Sequence, residues 1–404
     1  MATAEYFHGT RVFQVGETTR AISVNEYSTI GALVVAPDAD PDVYPEDVAV
    51  TMFSNDAEMR TALGTGGNLD AVFDALDDQG IVAEVQVVRV AEGASAVPQT
   101  KLEQTIANMV GSGADYSGCH AFKQASKPAK LIIAPGYTSQ RLAGAKNPIA
   151  AELVGICDRL KAIKILDTPD ASKEAAETYR DDFPDDKRAY LFHPSVKVLS
   201  SGGTVVTQPG SGRVAGLFVK MDKTIGGPYA SPSNQEMGGI VGPSRPISYY
   251  TAEPDSEANY LNEIRIATLR AGMILWGNET CAEDPLDRFV NVVRTTDVID
   301  DAVVGAFYWA MDKNLSVPLG TAVIQSLQSF LDELTAKGAI LGGRAWFERE
   351  LNSNESLSSG ILRIEYDREP AAPLQDLQFG ARRNLTYYAT LADGLLNALD
   401  RTAA

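Results

Sequence analysis

The stretch KLIIAPGYTSQRLAGAKNPIAAELVGICDRLKAIKILD, residues 130–167, decides the fold class. Its two ends, 130–135 and 162–167, are short apolar runs of strand length. Between them Leu153, Val154, Cys157 and Leu160 fall on one face of a helix over about 149–161. The same alternation continues with a helix over 172–182 and a strand over 189–198. Strands and helices taking turns in this way indicate an α/β layer with some parallel strands.

Working upstream, residues 81–90 are a long, mostly apolar run, the pattern of a strand covered on both faces. Before it, Leu69, Val72, Phe73 and Leu76 form a helical stripe opposite Asp70, Asp74 and Asp77. Residues 25–36 read as a strand that ends in the loop APDADPD. In the first twenty residues Tyr6, Phe7, Val12, Phe13 and Val15 are spaced more like a strand than a helix, which suits an arm.

Downstream, residues 202–242 dissolve into Gly, Pro and Ser and are expected to join two halves. The second half opens with a short helix over 256–261 and a hairpin over 264–276. A helix follows with Val298, Ile299, Ala302, Val303, Ala306, Phe307 and Ala310 on its apolar face. Asp297, Asp300 and Asp301 are expected near its positive end and Lys313 near its negative end, as the helix dipole favours. The next helix buries Val323, Ile324, Leu327, Phe330, Leu331 and Leu334, stops at Gly338, and shows Gln325, Gln328, Asp332 and Lys337 on its other face. Residues 362–366 alternate as a strand, EPAAP breaks regularity, and LTYYATLADGLLNAL is either a strand leading into a short helix or a second arm.

At 404 residues, 45% hydrophobic and 22% charged, the chain is a folded globular protein large enough for two domains. A formal charge of −18 and a pI near 4.6 oppose binding to phosphate backbones and anionic lipid, so nucleic acid is not an expected partner. Apolar runs such as KLIIAPG and VVGAFYWAM are too short to span a bilayer, and no signal segment opens the chain; membrane insertion is not expected. Cys119, Cys157 and Cys281, an odd number without CxxC spacing, read as buried thiols, with pairing between subunits the open alternative.

Catalytic patterns are sparse. GSGADYSG at 111–118 places its third glycine too late for a dinucleotide loop, and no GxxxxGK[ST] occurs. His8, His120 and His193 lie in no HExxH, there is no GxSxG elbow, and DDFPDD at 181–186 lacks EF-hand spacing. Sequons at Asn278, Asn354 and Asn384 carry no weight without a secretory signal. No catalytic residue, cofactor or metal is expected, and an α/β enzyme with an unrecognised active site is the lesser alternative.

One set of phrases is more specific. WGNET at 276–280, DPLDRF at 284–289 and VVRTTDVI at 292–299 stand with SPSNQEMGGIVG at 231–242 and ANYLNEIRI at 258–266. HGTRVFQV at 8–15, DDQGIVAEVQVVRV at 77–90, KPAKLIIAPG at 127–136 and PLQDLQF at 373–379 extend the pattern along essentially the whole chain. Together they resemble the sheath proteins of contractile bacteriophage tails.

The resemblance implies a mixed α+β and α/β fold of two domains with extended arms at both termini that add strands to neighbouring subunits. The expected division is an N-terminal arm at 1–20, an outer or middle α/β region at 21–240, a tube-facing inner domain at 241–382 and a C-terminal arm at 383–404. It implies a homo-oligomeric helical sheath around a tail tube protein, meeting baseplate and tail terminator proteins. Such a sheath is assembled in the host cytoplasm, becomes part of the virion, and contracts to drive the tube through the cell envelope. A headless tail-like bacteriocin or related injection particle is the alternative. Candidate inter-subunit residues are Phe7, Val12, Phe13 and Val15 in the first arm and Leu385, Tyr387, Tyr388 and Leu391 in the second. Asp332, Glu333 and Lys337 are candidates for the tube contact, against a plain solvated face.

Overall fold

The structure, a computed structural model, describes residues 22, 27–200, 202–251 and 253–402. The chain separates into two compact units, the first ending at Pro373 and the second beginning at Leu374. Residues 1–20, with Phe7, Val12, Phe13 and Val15, lie outside the described residues.

The first unit is organised by a large sheet. It takes β1 (Ile30–Val35), β2 (Ala49–Phe53), β3 (Glu84–Val90), β4 (Leu131–Ile133), β5 (Ile163–Asp167) and β6 (Ala189–Phe192). A small antiparallel sheet follows, with β7 (Val196–Leu199) between β8 (Val205–Gln208) and β9 (Ile240–Pro243). β10 (Ile266–Arg270) and β11 (Ile274–Trp276) then return to the large sheet, whose order is β11-β10-β6-β5-β4-β1-β3-β2. The six inner strands are parallel and the two edges, β2 and β11, run antiparallel.

Helices cover both faces, which is why all six residues of β1 are buried. The chain-order helices here are α1 (Ala57–Leu63), α2 (Phe73–Asp77), α3 (Pro98–Val110), α4 (Pro148–Leu160), α5 (Lys173–Arg180), α6 (Ser211–Ile225) and α7 (Glu257–Glu263). Ile30, Ala32 and Val34 share a core with Phe73 and Leu76 of α2 and Leu217 and Phe218 of α6. Leu33 and Val35, pointing the other way, share one with Ile106 of α3 and Leu153 of α4. The buried face of α4 is Ile149, Leu153, Ile156 and Cys157, so Ile156 takes the place expected for Val154.

Two expectations fail here. α6 lies inside the stretch 202–242 that was expected to be a junction, and its first nine residues are all buried. Its glycines serve packing rather than chain breaking: a Cβ on Gly212 would stand 2.0 Å from the Ala71 carbonyl oxygen, and one on Gly216 would stand 2.7 Å from Cγ of Gln79. The expected division at residue 240 also does not coincide with the end of the α/β layer. The hairpin of β10 and β11 forms as expected, but β10 pairs parallel with β6, so residues 266–276 complete the first sheet.

A second core follows from α8 (Val290–Ala306), α9 (Val317–Ala336) and the antiparallel pair β12 (Ile340–Trp346) and β13 (Glu365–Pro370), with the short α10 (Asn354–Ser358) between those strands. Val298, Ile299, Leu327, Phe330, Leu331 and Leu334 fill it, and Ile22 and Tyr27 come back from the N-terminal side to join them. α9 starts at the Ser316 cap and ends just before Gly338, whose φ of 72° suits glycine. Gln328, expected on the polar face, instead turns to β12: its Oε1 accepts from the Ala345 amide at 2.9 Å.

In the second unit, residues 374–386 have no regular structure and α11 (Tyr387–Thr402) is a sixteen-residue helix. No strand forms among its described residues. Ala and Leu dominate the segment, and its apolar residues recur at three- and four-residue steps, both of which favour helix.

Candidate assembly surfaces

α8 carries the polar join between the α/β layer and the core that α8 builds with α9. Asp297 accepts two hydrogen bonds from the Arg188 guanidinium, at 2.7 and 3.0 Å. One turn on, Asp301 meets Nζ of Lys130 at 2.9 Å and of Lys161 at 2.7 Å. One turn back, Arg294 donates to both carboxylate oxygens of Asp222 on α6, at 2.8 and 2.5 Å, and to the Tyr27 carbonyl at 3.0 Å. Asp300 faces the other way and accepts from Arg368 and from the Tyr366 hydroxyl, each at 2.8 Å.

The dipole expectation for these aspartates is therefore corrected. α8 begins at Val290, so Asp297 sits two turns inside the helix, beyond the reach of its N-terminal partial charge. They serve as ion-pair partners instead. Burial would raise the Asp301 carboxyl, but hydrogen bonds from Lys161 and Lys130 outweigh it and hold the group below its usual value. Burial likewise opposes the charge on Arg188, and the Asp297 hydrogen bonds more than restore it. Burial, then the nearby Asp301, pushes the Tyr27 phenol up, so it stays neutral. The signal was present in VVRTTDVIDD, residues 292–301: Arg294, Asp297 and Asp301 repeat at three and four residues on a helix that is apolar at Val293, Val298 and Ile299.

Asp332, Glu333 and Lys337 gather at the end of α9 and are all exposed. Lys337 pairs with Glu333 at 2.7 Å, and Asp332 accepts from Gln328 at 2.8 Å. The three form one solvent-facing polar group. Leu385, Tyr387, Tyr388 and Leu391 are exposed as well, the last three on α11.

The carboxyl end of the parallel strands, where open α/β sheets commonly bind ligands, is occupied by the protein's own groups at β5 and β6. Asp167 accepts from the Gly210 and Ser211 amides at 2.9 Å each and from the Ser211 hydroxyl at 2.5 Å, filling the anion position at the start of α6. Burial lifts its carboxyl to about 6 against these hydrogen bonds. His193 lies 2.8 Å from the Thr168 hydroxyl and 2.6 Å from the Arg245 guanidinium, which also pairs with Glu257 at 2.5 Å. Burial, with Arg245 next in weight, lowers His193 to about 4. The three cysteines are free and buried, and burial raises each thiol to about 12. Among the described residues, no group of acidic, histidine or cysteine side chains is arranged to hold a metal, and no helix is long and apolar enough to cross a membrane.

No protein-family model matches the chain. It is 30% identical over 399 residues to the tail sheath protein of Escherichia phage P2, covering 96% of this chain and 98% of that protein. It is 26% identical over 385 residues to the major tail sheath protein of Serratia phage KSP20, covering 93% and 94%. Among solved structures, the sheath complex of an extracellular contractile injection system, PVC, in its contracted state aligns with a TM-score of 0.67 at 16% identity, over 95% of this chain and 99% of that one. The contracted helical sheath of the anti-feeding prophage aligns at 0.66 and 15%, over 94% and 100%. End-to-end likeness to the phage P2 protein, together with the same fold, places the chain in the family of contractile tail sheath proteins.

Proposed function

We propose that this chain is the structural subunit of a contractile tail sheath, polymerising helically around a tail tube and shortening to drive that tube through the host envelope. The observation that carries the proposal is the match to the phage P2 tail sheath protein across nearly the full length of both chains. The subunit works by assembling with copies of itself, with the tube, and with baseplate and tail terminator proteins. It is built in the host cytoplasm and ends in the virion tail.

The physical basis is a lattice of rigid bodies. A head-to-tail contact that does not close on itself generates an open helix. Terminal segments tether the copies while their bodies rotate, and the extended array is held by a barrier above a contracted array of lower free energy. The α/β layer, buried on both faces, and the ionic join on α8 supply rigidity of this kind. In this arrangement the polar end of α9, with Asp332, Glu333 and Lys337, faces the tube. A sheath from a headless injection particle is the second reading, supported by the shared fold with the PVC sheath. The higher identity to phage proteins favours the tail.

Electron microscopy of the purified protein, with and without tubes, tests the proposal. Hollow cylinders without tubes, and decorated tubes when they are added, are the expected result. A chain that stays a lone globule under all assembly conditions would overturn it.

A further inference from the structure

Residues 244–250, which lead from β9 towards α7, form a strap across the carboxyl end of β5 and β6. The Ser244 hydroxyl donates to Asp170 Oδ1 at 2.6 Å, and the same oxygen accepts from the Ser195 amide at 3.1 Å. One guanidinium nitrogen of Arg245 reaches both His193 Nε2, at 2.6 Å, and Glu257 of α7, at 2.5 Å. The Ser248 hydroxyl accepts from the Glu257 amide at 3.0 Å. Tyr249 meets Trp276 of β11 edge-on, with ring centroids 6.0 Å apart.

His193 is fully buried beneath this strap. A guanidinium can only donate, so Nε2 is the bare acceptor nitrogen, and Nδ1, 2.8 Å from Thr168 Oγ1, carries the ring proton. A second proton has to enter at Nε2, where it would point at the Arg245 N–H. The charged ring and the docked Arg245 therefore exclude each other. Asp170 and Glu257 favour the added proton, as does the Pro169 carbonyl, whereas Arg245 opposes it. Glu174 of α5 acts on Arg245, and Asp167 is committed to the Gly210 and Ser211 groups. Burial outweighs the carboxylates and keeps the ring neutral until the pH nears 4.

We propose that His193 is an acid latch: its protonation expels Arg245 and lifts residues 244–250 from the sheet while the sheet stays folded. Arg245 retains Glu257 when it leaves, so the move strands no charge. Its Nε has no hydrogen-bond partner among the described residues, so the docked guanidinium is only partly satisfied. The latch belongs to the single subunit and does not depend on how copies assemble.

Trp276 can report the strap in the full chain. Trp309→Phe with Trp346→Phe leaves it as the one tryptophan of three. Its fluorescence should change in a step centred near pH 4, while far-UV circular dichroism holds. Adding His193→Gln should remove the step. Proton NMR gives a second reading: the His193 ring signal, identified by its loss in His193→Gln, should titrate near 4 and move up towards 6.5 in Arg245→Met.

A fluorescence step that survives His193→Gln overturns the latch. So does a step that coincides with loss of the dichroism signal, which would mean general unfolding. An unchanged His193 titration in Arg245→Met would show that the two groups do not oppose each other and overturns it as well.

Discussion

Arg188 and Asp297, 109 residues apart in the chain, face each other through two parallel hydrogen bonds of 2.7 and 3.0 Å with both side chains nearly dry. Arg188 stands at the entrance to β6 and Asp297 in the middle of α8, so the pair ties the α/β sheet to the second core. Paired guanidinium and carboxylate in this geometry recover much of the cost of burying both charges.

Removing one member should therefore hurt more than removing both. Asp297→Asn leaves Arg188 with Asp158, whose own side chain is mostly exposed, and is expected to cost about 3–5 kcal/mol. Arg188→Met combined with Asp297→Leu should recover most of that. Urea denaturation of the two variants measures the difference, and equal midpoints would contradict it.

Acid should act on this subunit through two buried groups of opposite sign. His193, lowered to about 4, contributes stability above its ordinary 6.5 that is lost as pH falls towards 4. Asp167, raised to about 6, contributes stability below its ordinary 3.8 that is lost as pH rises through 6. Each effect is on the order of 3 kcal/mol. Relative to wild type, His193→Asn should flatten the loss of stability between pH 6.5 and 4, and Asp167→Asn should steepen it. Difference curves of unfolding free energy against pH that share one sign would reject the assignment.

The layered α/β architecture was legible because strands buried on both faces and amphipathic helices leave an unambiguous periodicity, as in 81–90 and 149–161. α6 was not, because glycines at 212 and 216 that permit close helix packing look in a sequence like glycines that break a chain. The association of β10 with β6 was equally hidden, since a parallel neighbour whose paired residues lie 75 positions earlier, Leu191 for Ile266 and Phe192 for Ala267, leaves no local mark. The aspartates of α8 showed their spacing but not their partners on other elements. Exposure of Asp332, Glu333 and Lys337 followed from the helical face alone, whereas a tube contact depends on a molecule outside the chain.

Charge reversal at the end of α9 should separate assembly from folding. Asp332→Lys with Glu333→Lys changes exposed residues whose one ion pair among the described residues is the surface contact to Lys337, so stability should move by about 0.5 kcal/mol or less. Decoration of purified tubes should weaken markedly and become less sensitive to the salt that screens the native contact. Equal thermal stability with undiminished decoration in a tube-sedimentation assay would leave this group as ordinary solvated surface.

Deleting residues 1–20 should leave a folded subunit that does not polymerise. The second core keeps its N-terminal members, since Ile22 and Tyr27 lie beyond the deletion and Arg294 still donates to the Tyr27 carbonyl. Unfolding temperature should therefore change by only a few degrees. Tyr27→Ala is the contrasting variant: it empties a buried aromatic site and should destabilise the subunit by about 3 kcal/mol or more. The two together distinguish a tether between copies from a part of the core. Micrographs showing helices of normal length from the truncated protein would mean that Phe7, Val12, Phe13 and Val15 link no subunits.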